Sequence, residues 1–198
     1  MKTGKRILAF LLALCLMLVQ MPVTVSAEEP ARTEDQELSA PPAEERAETV
    51  TARSGTCGEN LTWKLDDDGV LTISGTGPMK NYSERGENES PWAYLNGIKA
   101  VVIEEGVTSI GDYAFLKCRE MILVTIPDSV VTIGRVAFGG CMELVSLTIP
   151  DGVTTIGTAA FEDCSTLTSV RFGSGVTTIG NYAFKGCSNL TSITIPEG

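Results

Sequence analysis

The 198-residue sequence predicts a solenoid: stacked coils sharing a parallel β-ladder, with short helical or 3-10 arms, entered through a β-hairpin cap. Three series of residues predict it. Ile-Gly recurs at Ile110-Gly111, Ile133-Gly134, Ile156-Gly157 and Ile179-Gly180. Ala-Phe recurs at Ala114-Phe115, Ala137-Phe138, Ala160-Phe161 and Ala183-Phe184, and cysteine at Cys118, Cys141, Cys164 and Cys187. Every series steps by 23 residues. A unit that small cannot bury its own apolar face, so the copies must stack to make a core.

Residues 1–27 read as a secretory signal peptide outside the fold. Lys2, Lys5 and Arg6 form a basic start, Ile7 to Val19 is an uncharged apolar run of 13 residues, and Val25-Ser26-Ala27 offers a small-residue cleavage pattern. The run is short of the roughly 20 apolar residues that cross a bilayer as a helix. Cys15 is preceded by Leu14 inside the apolar run, which excludes a lipoprotein reading.

Residues 28–55 read as a disordered acidic linker. Glu28, Glu29, Glu34, Asp35, Glu37, Glu44, Glu45 and Glu48 stand against Arg32 and Arg46, with Pro30, Pro41 and Pro42 between them. Such a stretch has too little apolar surface to offset chain entropy. The net charge of −10 becomes −13 once the three cations of the signal are removed. That balance argues against nucleic acid and anionic membrane surfaces, both of which call for basic patches. No membrane insertion is expected after signal cleavage.

Residues 56–97 are assigned to the N-terminal β cap. The alternating runs Leu61 to Leu65 and Val70 to Ile73 flank Asp66, Asp67, Asp68 and Gly69, a hairpin signal. Pro91, Trp92 and Tyr94 supply large apolar bodies just before the first coil, whose interior columns need a cover.

Residues 98–198 hold four coils and a partial fifth. The columns Ile98, Met121, Leu144, Leu167, Leu190 and Val101, Val124, Leu147, Val170, Ile193 point inward, with Ile103, Ile126, Ile149, Phe172, Ile195 and Val107, Val130, Val153, Val176. Residues 190–195 (LTSITI) alternate as a half-buried strand, and Asp or Glu followed by Gly comes next as a turn, as at Asp151-Gly152 and Glu197-Gly198. Ser129 takes the glycine's place in one such turn, so a positive φ is not required there. Ala-Phe-x-x-Cys has the spacing of one helical or 3-10 turn. The last strand has no arm to complete its coil, so the sequence is expected to be the front part of a longer protein. An open strand edge at the end would also permit end-to-end self-association.

The units at 176–196 (VTTIGNYAFKGCSNLTSITIP) and 153–170 (VTTIGTAAFEDCSTLTSV) resemble the leucine-rich repeats of the BspA-like family of bacterial surface proteins. The resemblance covers about residues 98–198, and the segment 57–77 (CGENLTWKLDDDGVLTISGTG) is similar to that family's non-repeat N-terminal module. Phe172-Gly173 replaces Ile-Pro in one coil, and Met121-Ile122 departs from the Leu column in another. The resemblance implies a leucine-rich repeat solenoid, bacterial surface display, and contact with host proteins, matrix or other cells.

Chemistry is sparse. The sequence has no histidine, which removes the commonest general acid or base at neutral pH. No serine has a partner base in sequence, no catalytic residue is assigned, and the chain is not expected to be an enzyme. No cofactor or metal is expected. Zinc needs four converging ligands, whereas the cysteines recur one per coil. They read as small apolar packing residues rather than bridges, although export would permit oxidation. The Asp66–Gly69 stretch lacks the alternate ligands and distant glutamate of a calcium loop and reads as a turn.

The outward strand side chains are the candidate ligand-binding set: Leu123, Thr125, Ser146, Thr148, Ser169, Arg171, Ser192 and Thr194. They would line the concave face of the solenoid. Ser and Thr also suit any exposed strand, and Arg171 is the set's single charge. Tyr113 and Tyr182 are exposed candidates on the other side. The expected function is a secreted or cell-surface, non-catalytic binding or adhesion module for a protein or glycan. The alternatives are an accessory module of a longer exported enzyme, or a passive spacer.

Overall fold

The structure is a computed structural model that describes residues 53–93 and 95–195. The predicted signal peptide, residues 28–52 of the predicted linker, Tyr94 of the predicted cap and residues 196–198 lie outside the described residues. Among the described residues, twelve strands form three sheets.

The cap starts earlier than the sequence suggested. β1 (Arg53–Thr56) falls in the last residues assigned to the linker, yet it pairs antiparallel with β2 (Leu61–Leu65), placing Gly55 opposite Trp63. That glycine makes room for the indole: a Cβ there would lie 2.8 Å from Trp63 Nε1. β2 and β3 (Val70–Gly75) form the expected hairpin. Asp66 shapes its turn by accepting the N–H groups of Asp68 (3.1 Å) and Val70 (2.8 Å) on one carboxylate oxygen. Gly69 supplies the left-handed residue, at φ 82°.

β3 then acts as the first rung of the solenoid. It pairs in parallel with β5 (Ala100–Ile103), which pairs with β7 (Leu123–Thr125), giving the order β1-β2-β3-β5-β7. The next two face strands, β9 (Ser146–Ile149) and β11 (Ser169–Phe172), pair with each other in a separate sheet. The predicted ladder is thus broken between β7 and β9. The predicted fifth face strand is also absent: residues 191–195 have no assigned strand and are exposed. Ile193 and Ile195, expected inside, are 39% and 57% exposed, because among the described residues no coil stacks on them.

A second parallel ladder, not anticipated from the sequence, runs along another side of the coils. β4 (Gly77–Pro78), β6 (Val107–Ile110), β8 (Thr132–Ile133), β10 (Thr155–Ile156) and β12 (Thr178–Ile179) follow one another without a break. Here the Ile of each Ile-Gly pair points inward. The following glycine is needed for close stacking rather than for a positive φ: a Cβ on Gly157 would lie 2.6 Å from the carbonyl carbon of Gly134.

The arms are not helices; no helix is assigned among the described residues. Each keeps an i to i+3 hydrogen bond, as from Cys141 N–H to the Phe138 carbonyl (3.3 Å), but two left-handed residues per arm stop propagation. These are Tyr113, Val136, Ala159 and Tyr182 at one position, and Lys117, Gly140, Asp163 and Gly186 four residues on. The left-handed residues free alternate N–H groups to donate to the next coil. Val136, Phe138 and Gly140 bond the carbonyls of Thr158, Ala160 and Glu162 at 3.0, 2.8 and 2.7 Å. The arms are therefore a third ladder.

The three ladders enclose an apolar interior. Phe115, Phe138, Phe161 and Phe184 stack with centroids 5.1 to 5.3 Å apart and planes within 17°. Trp92 extends the stack one step into the cap, 5.3 Å from Phe115. It stands 23 residues before Phe115, so it occupies the Phe column of a degenerate earlier coil. Its Nε1–H donates to the Ala114 carbonyl (2.7 Å), while Tyr82 N–H serves the Asp112 carbonyl (2.8 Å). The cap thus covers the first coil's core and also supplies donors that its arm would otherwise lack.

Candidate functional site

The face of the β5, β7, β9 and β11 strands carries the predicted set. Register places Ser146 opposite Ser169 and Thr148 opposite Arg171, with all four exposed. Leu123 and Thr125 lie on β7, opposite Ala100 and Val102; Thr125 is exposed and Leu123 half-buried. Ser192 and Thr194 are exposed but belong to no strand, so the structure does not bring them onto the ladder. Six of the eight residues therefore sit on face strands, divided between two sheets.

The face also reaches further than the sequence suggested. Pairing carries it from Val102 to Thr72 on β3, from Thr72 to Lys64 on β2, and from Lys64 to Ser54 on β1. Thr62 and Ser74 lie on the same side. The outward alternation of the hairpin was visible in the sequence. The parallel pairing of β3 with β5, which joins it to the repeats, was not. Lys64 and Arg171 are cations of this hydroxyl-rich face, on opposite sides of the break between β7 and β9. Arg171 is near Asp151, whose carboxyl is held below its ordinary range by the Ser174 N–H (2.7 Å) and hydroxyl (3.1 Å), with a smaller contribution from Arg171.

On the arm side, Tyr182 is 67% exposed and Tyr113 half-buried. A cation lies over each ring at 5.5 Å: Lys185 over Tyr182 and Arg135 over Tyr113. Beside Tyr113, a shallow cleft of about 240 Å³ is lined by Ser83, Arg85, Glu89 and Lys117, and Lys117 pairs with Glu84 at 3.0 Å. The Lys117 hydrogen bond and charge lower the Glu84 carboxyl's pKa.

The five cysteines among the described residues are free thiols and are buried. Cys141, Cys164 and Cys187 each lie with Sγ 3.2 to 3.3 Å from the carbonyl of the Phe 26 residues earlier, as thiol donors. Burial pushes the Cys118 thiol up to about 12 and that of Cys57 up to about 11, with Lys80 opposing the latter shift. They are poor nucleophiles at neutral pH. Among the described residues, no group of three or more His, Cys, Asp or Glu side chains could hold a metal ion. No helix of the described residues is long and apolar enough to cross a membrane.

Comparison with known proteins agrees with this geometry. A family model described as a BspA type leucine-rich repeat region matches residues 90–198 in six copies, starting at the cap segment that holds Trp92. The chain is similar to the crystal structure of a leucine-rich repeat protein from Eubacterium ventriosum: TM-score 0.54, 27% identity, 70% of this chain and 42% of that one. A leucine-rich repeat protein of T. pallidum matches with TM-score 0.51 and 25% identity over 71% of each chain. One from Bacteroides ovatus matches with TM-score 0.50 and 27% identity over 61% of this chain and 35% of that one. The chain thus spans less than half the length of the first and third of these proteins. No curated protein matches it.

Proposed function

The chain belongs to the BspA-type leucine-rich repeat family, and we propose that it is a secreted or surface-displayed, non-catalytic binding protein that engages a protein or glycan through its strand face. The carrying observation is the unbroken outward surface from Ser54 and Lys64 through Thr72 to Thr125, resumed by Thr148 and Arg171. Its side chains are small and hydroxylic, so many weak contacts would sum to avidity rather than fill one tight pocket. The basic, apolar leader of residues 1–27 supports export.

Two experiments test this reading. Surface labelling and fractionation of the producing cell should find the protein outside the membrane. Purified mature chain should bind an immobilised matrix-protein or glycan array saturably, and Arg171→Glu with Thr148→Lys should abolish that binding. Saturable binding that survives the double substitution would move the site elsewhere, and no saturable binding on any array would favour a passive spacer. A second reading, an accessory module of a longer exported enzyme, draws on the 42% and 35% of two similar proteins that the chain spans. An intact mass for the native protein that ends at Gly198 would refute it.

A further inference from the structure

The strand face changes character where its ladder breaks. One column of residues steps through Lys99, Ile122, Val145 and Thr168. Ile122 N–H bonds the Lys99 carbonyl and Thr168 N–H bonds the Val145 carbonyl, both at 2.9 Å, but the equivalent bond from Val145 to Ile122 is missing. β7 and β9 do not pair at the same level, although the second ladder runs through it without a break. The arms are joined there too, by Tyr113 and Phe115 N–H to the Arg135 and Ala137 carbonyls (2.9 and 2.7 Å). The seam is therefore confined to one face.

Aliphatic side chains collect at this seam. Val145 and Met142 are each 39% exposed, and Ile122 and Leu123 are half-buried. Flanking coils carry polar residues in the same columns: Lys99 and Thr168 beside Ile122 and Val145, Arg119 and Ser165 beside Met142, Ser146 and Ser169 beyond Leu123. Exposed aliphatic residues at positions the repeat otherwise makes polar mark an interaction surface. The charge at the rim selects the partner. Lys99 and Arg119 are exposed on the cap side of the seam, and neither takes part in the ion pairs found among the described residues. Glu120 approaches the Gly97 N–H (3.5 Å), and Glu143 stands on the far side, next to Met142.

We propose that the window bounded by Lys99, Arg119, Ile122, Leu123, Met142 and Val145 docks an extended polypeptide segment of a partner protein. The segment carries aliphatic side chains over the seam and acidic residues toward the cap. Its aliphatic groups cover Val145 and Met142, and its acids meet Lys99 and Arg119. This inference rests on the binding role proposed above and narrows it to a partner class and a site.

The test uses the mature chain and two synthetic decapeptides of alternating leucine and threonine, one beginning with two glutamates and the other with two lysines. The expected result is saturable amide shifts in NMR confined to the window, with the acidic peptide at least about tenfold tighter. Met142→Ser with Val145→Thr installs the residues of the next coil, Ser165 and Thr168, and should remove binding while leaving the dispersion of the spectrum unchanged. No saturable shift, equal affinity for the two peptides, or binding that survives the Met142 and Val145 changes would overturn the proposal. An array partner lost with the Arg171 variant but kept by the Met142 and Val145 variant would leave the binding role standing and remove the seam from it.

Discussion

Single residues in the stacked aromatic column carry the fold. Phe138 is fully buried between Phe115 and Phe161, at 5.1 and 5.2 Å. Phe138→Ala should cost about 3–5 kcal/mol, because neighbours held by the hydrogen bonds between coils cannot collapse fully into the vacancy. Chemical denaturation measures it, and an unchanged midpoint would remove Phe138 from the core. Trp92 calls for a different argument, since it both fills the column and donates a hydrogen bond. Trp92→Phe keeps a ring on Phe115 but leaves the Ala114 carbonyl without its 2.7 Å donor. The expected loss is about 1–3 kcal/mol, the cost of an unsatisfied buried acceptor. A melt indistinguishable from the parent would show that water reaches that carbonyl. The Phe column was legible because the same residue type recurs at a fixed step. Trp92 was legible only as a bulky apolar residue before the first coil. The Ile-Gly, Ala-Phe and Cys signature is absent around it, so its place in the column emerged only from the ring stacking.

At the scale of the element, the arms show where pattern reading stops. Ala-Phe-x-x-Cys has the same spacing whether its i to i+3 bond belongs to a helix or to chained turns. What separates the two is the sign of φ at residues such as Val136 (52°) and Gly140 (69°). Gly appears at 140 and 186 but Lys at 117 and Asp at 163, so composition did not reveal the left-handed position. Gly140→Ala should cost roughly 1–2 kcal/mol through the left-handed backbone alone. Gly139→Ala is a different case: Gly139 is not left-handed, but its Cβ would lie 2.5 Å from Cγ1 of the β-branched Val136, so its loss comes from packing. Thermal melts measure both, and an unchanged midpoint for Gly140→Ala would show that the left-handed position carries no strain there. The cap hairpin, by contrast, was fully legible: alternation and an Asp-rich turn ending in Gly fixed it before any tertiary contact was known. The second ladder was hidden because its rungs are only two residues long in β8, β10 and β12, too short to show alternation. Six of the eight candidate positions fall on face strands and Ser192 and Thr194 do not, and the extent of the face was not legible. Its continuation onto Lys64 and Ser54 depends on pairing between strands distant in sequence.

The whole molecule inherits an alkaline limit from its thiols. Cys118 and Cys57 keep their protons to about 12 and 11 in the fold; burial raises Cys141 as well, and hydrogen bonds with neighbouring column thiols, together with burial, raise Cys164 and Cys187. In the unfolded chain a thiol titrates near about 8.5. Above that pH the unfolded chain binds fewer protons than the fold, so the thiols' share of stability, fully present at neutral pH, falls as pH rises toward 11 to 12. Denaturant midpoints at pH 7.5 and 10 should show the fall, and Cys118→Ala should make it shallower; a midpoint rising with pH would contradict the assignment. A quite different property follows from the way the coils are bonded. From Gly111 onward, the bonds that join coils in all three ladders span close to one 23-residue period, as from Thr154 N–H to the Val131 carbonyl or Gly157 N–H to Ile133. A gene encoding such a chain can gain or lose one whole period by recombination between neighbouring copies, and the surviving copies find equivalent partners. The protein's reach is then a digital quantity, changing in steps of one ring spacing, 5.1 to 5.3 Å, while any other insertion within a coil throws all three ladders out of phase at once.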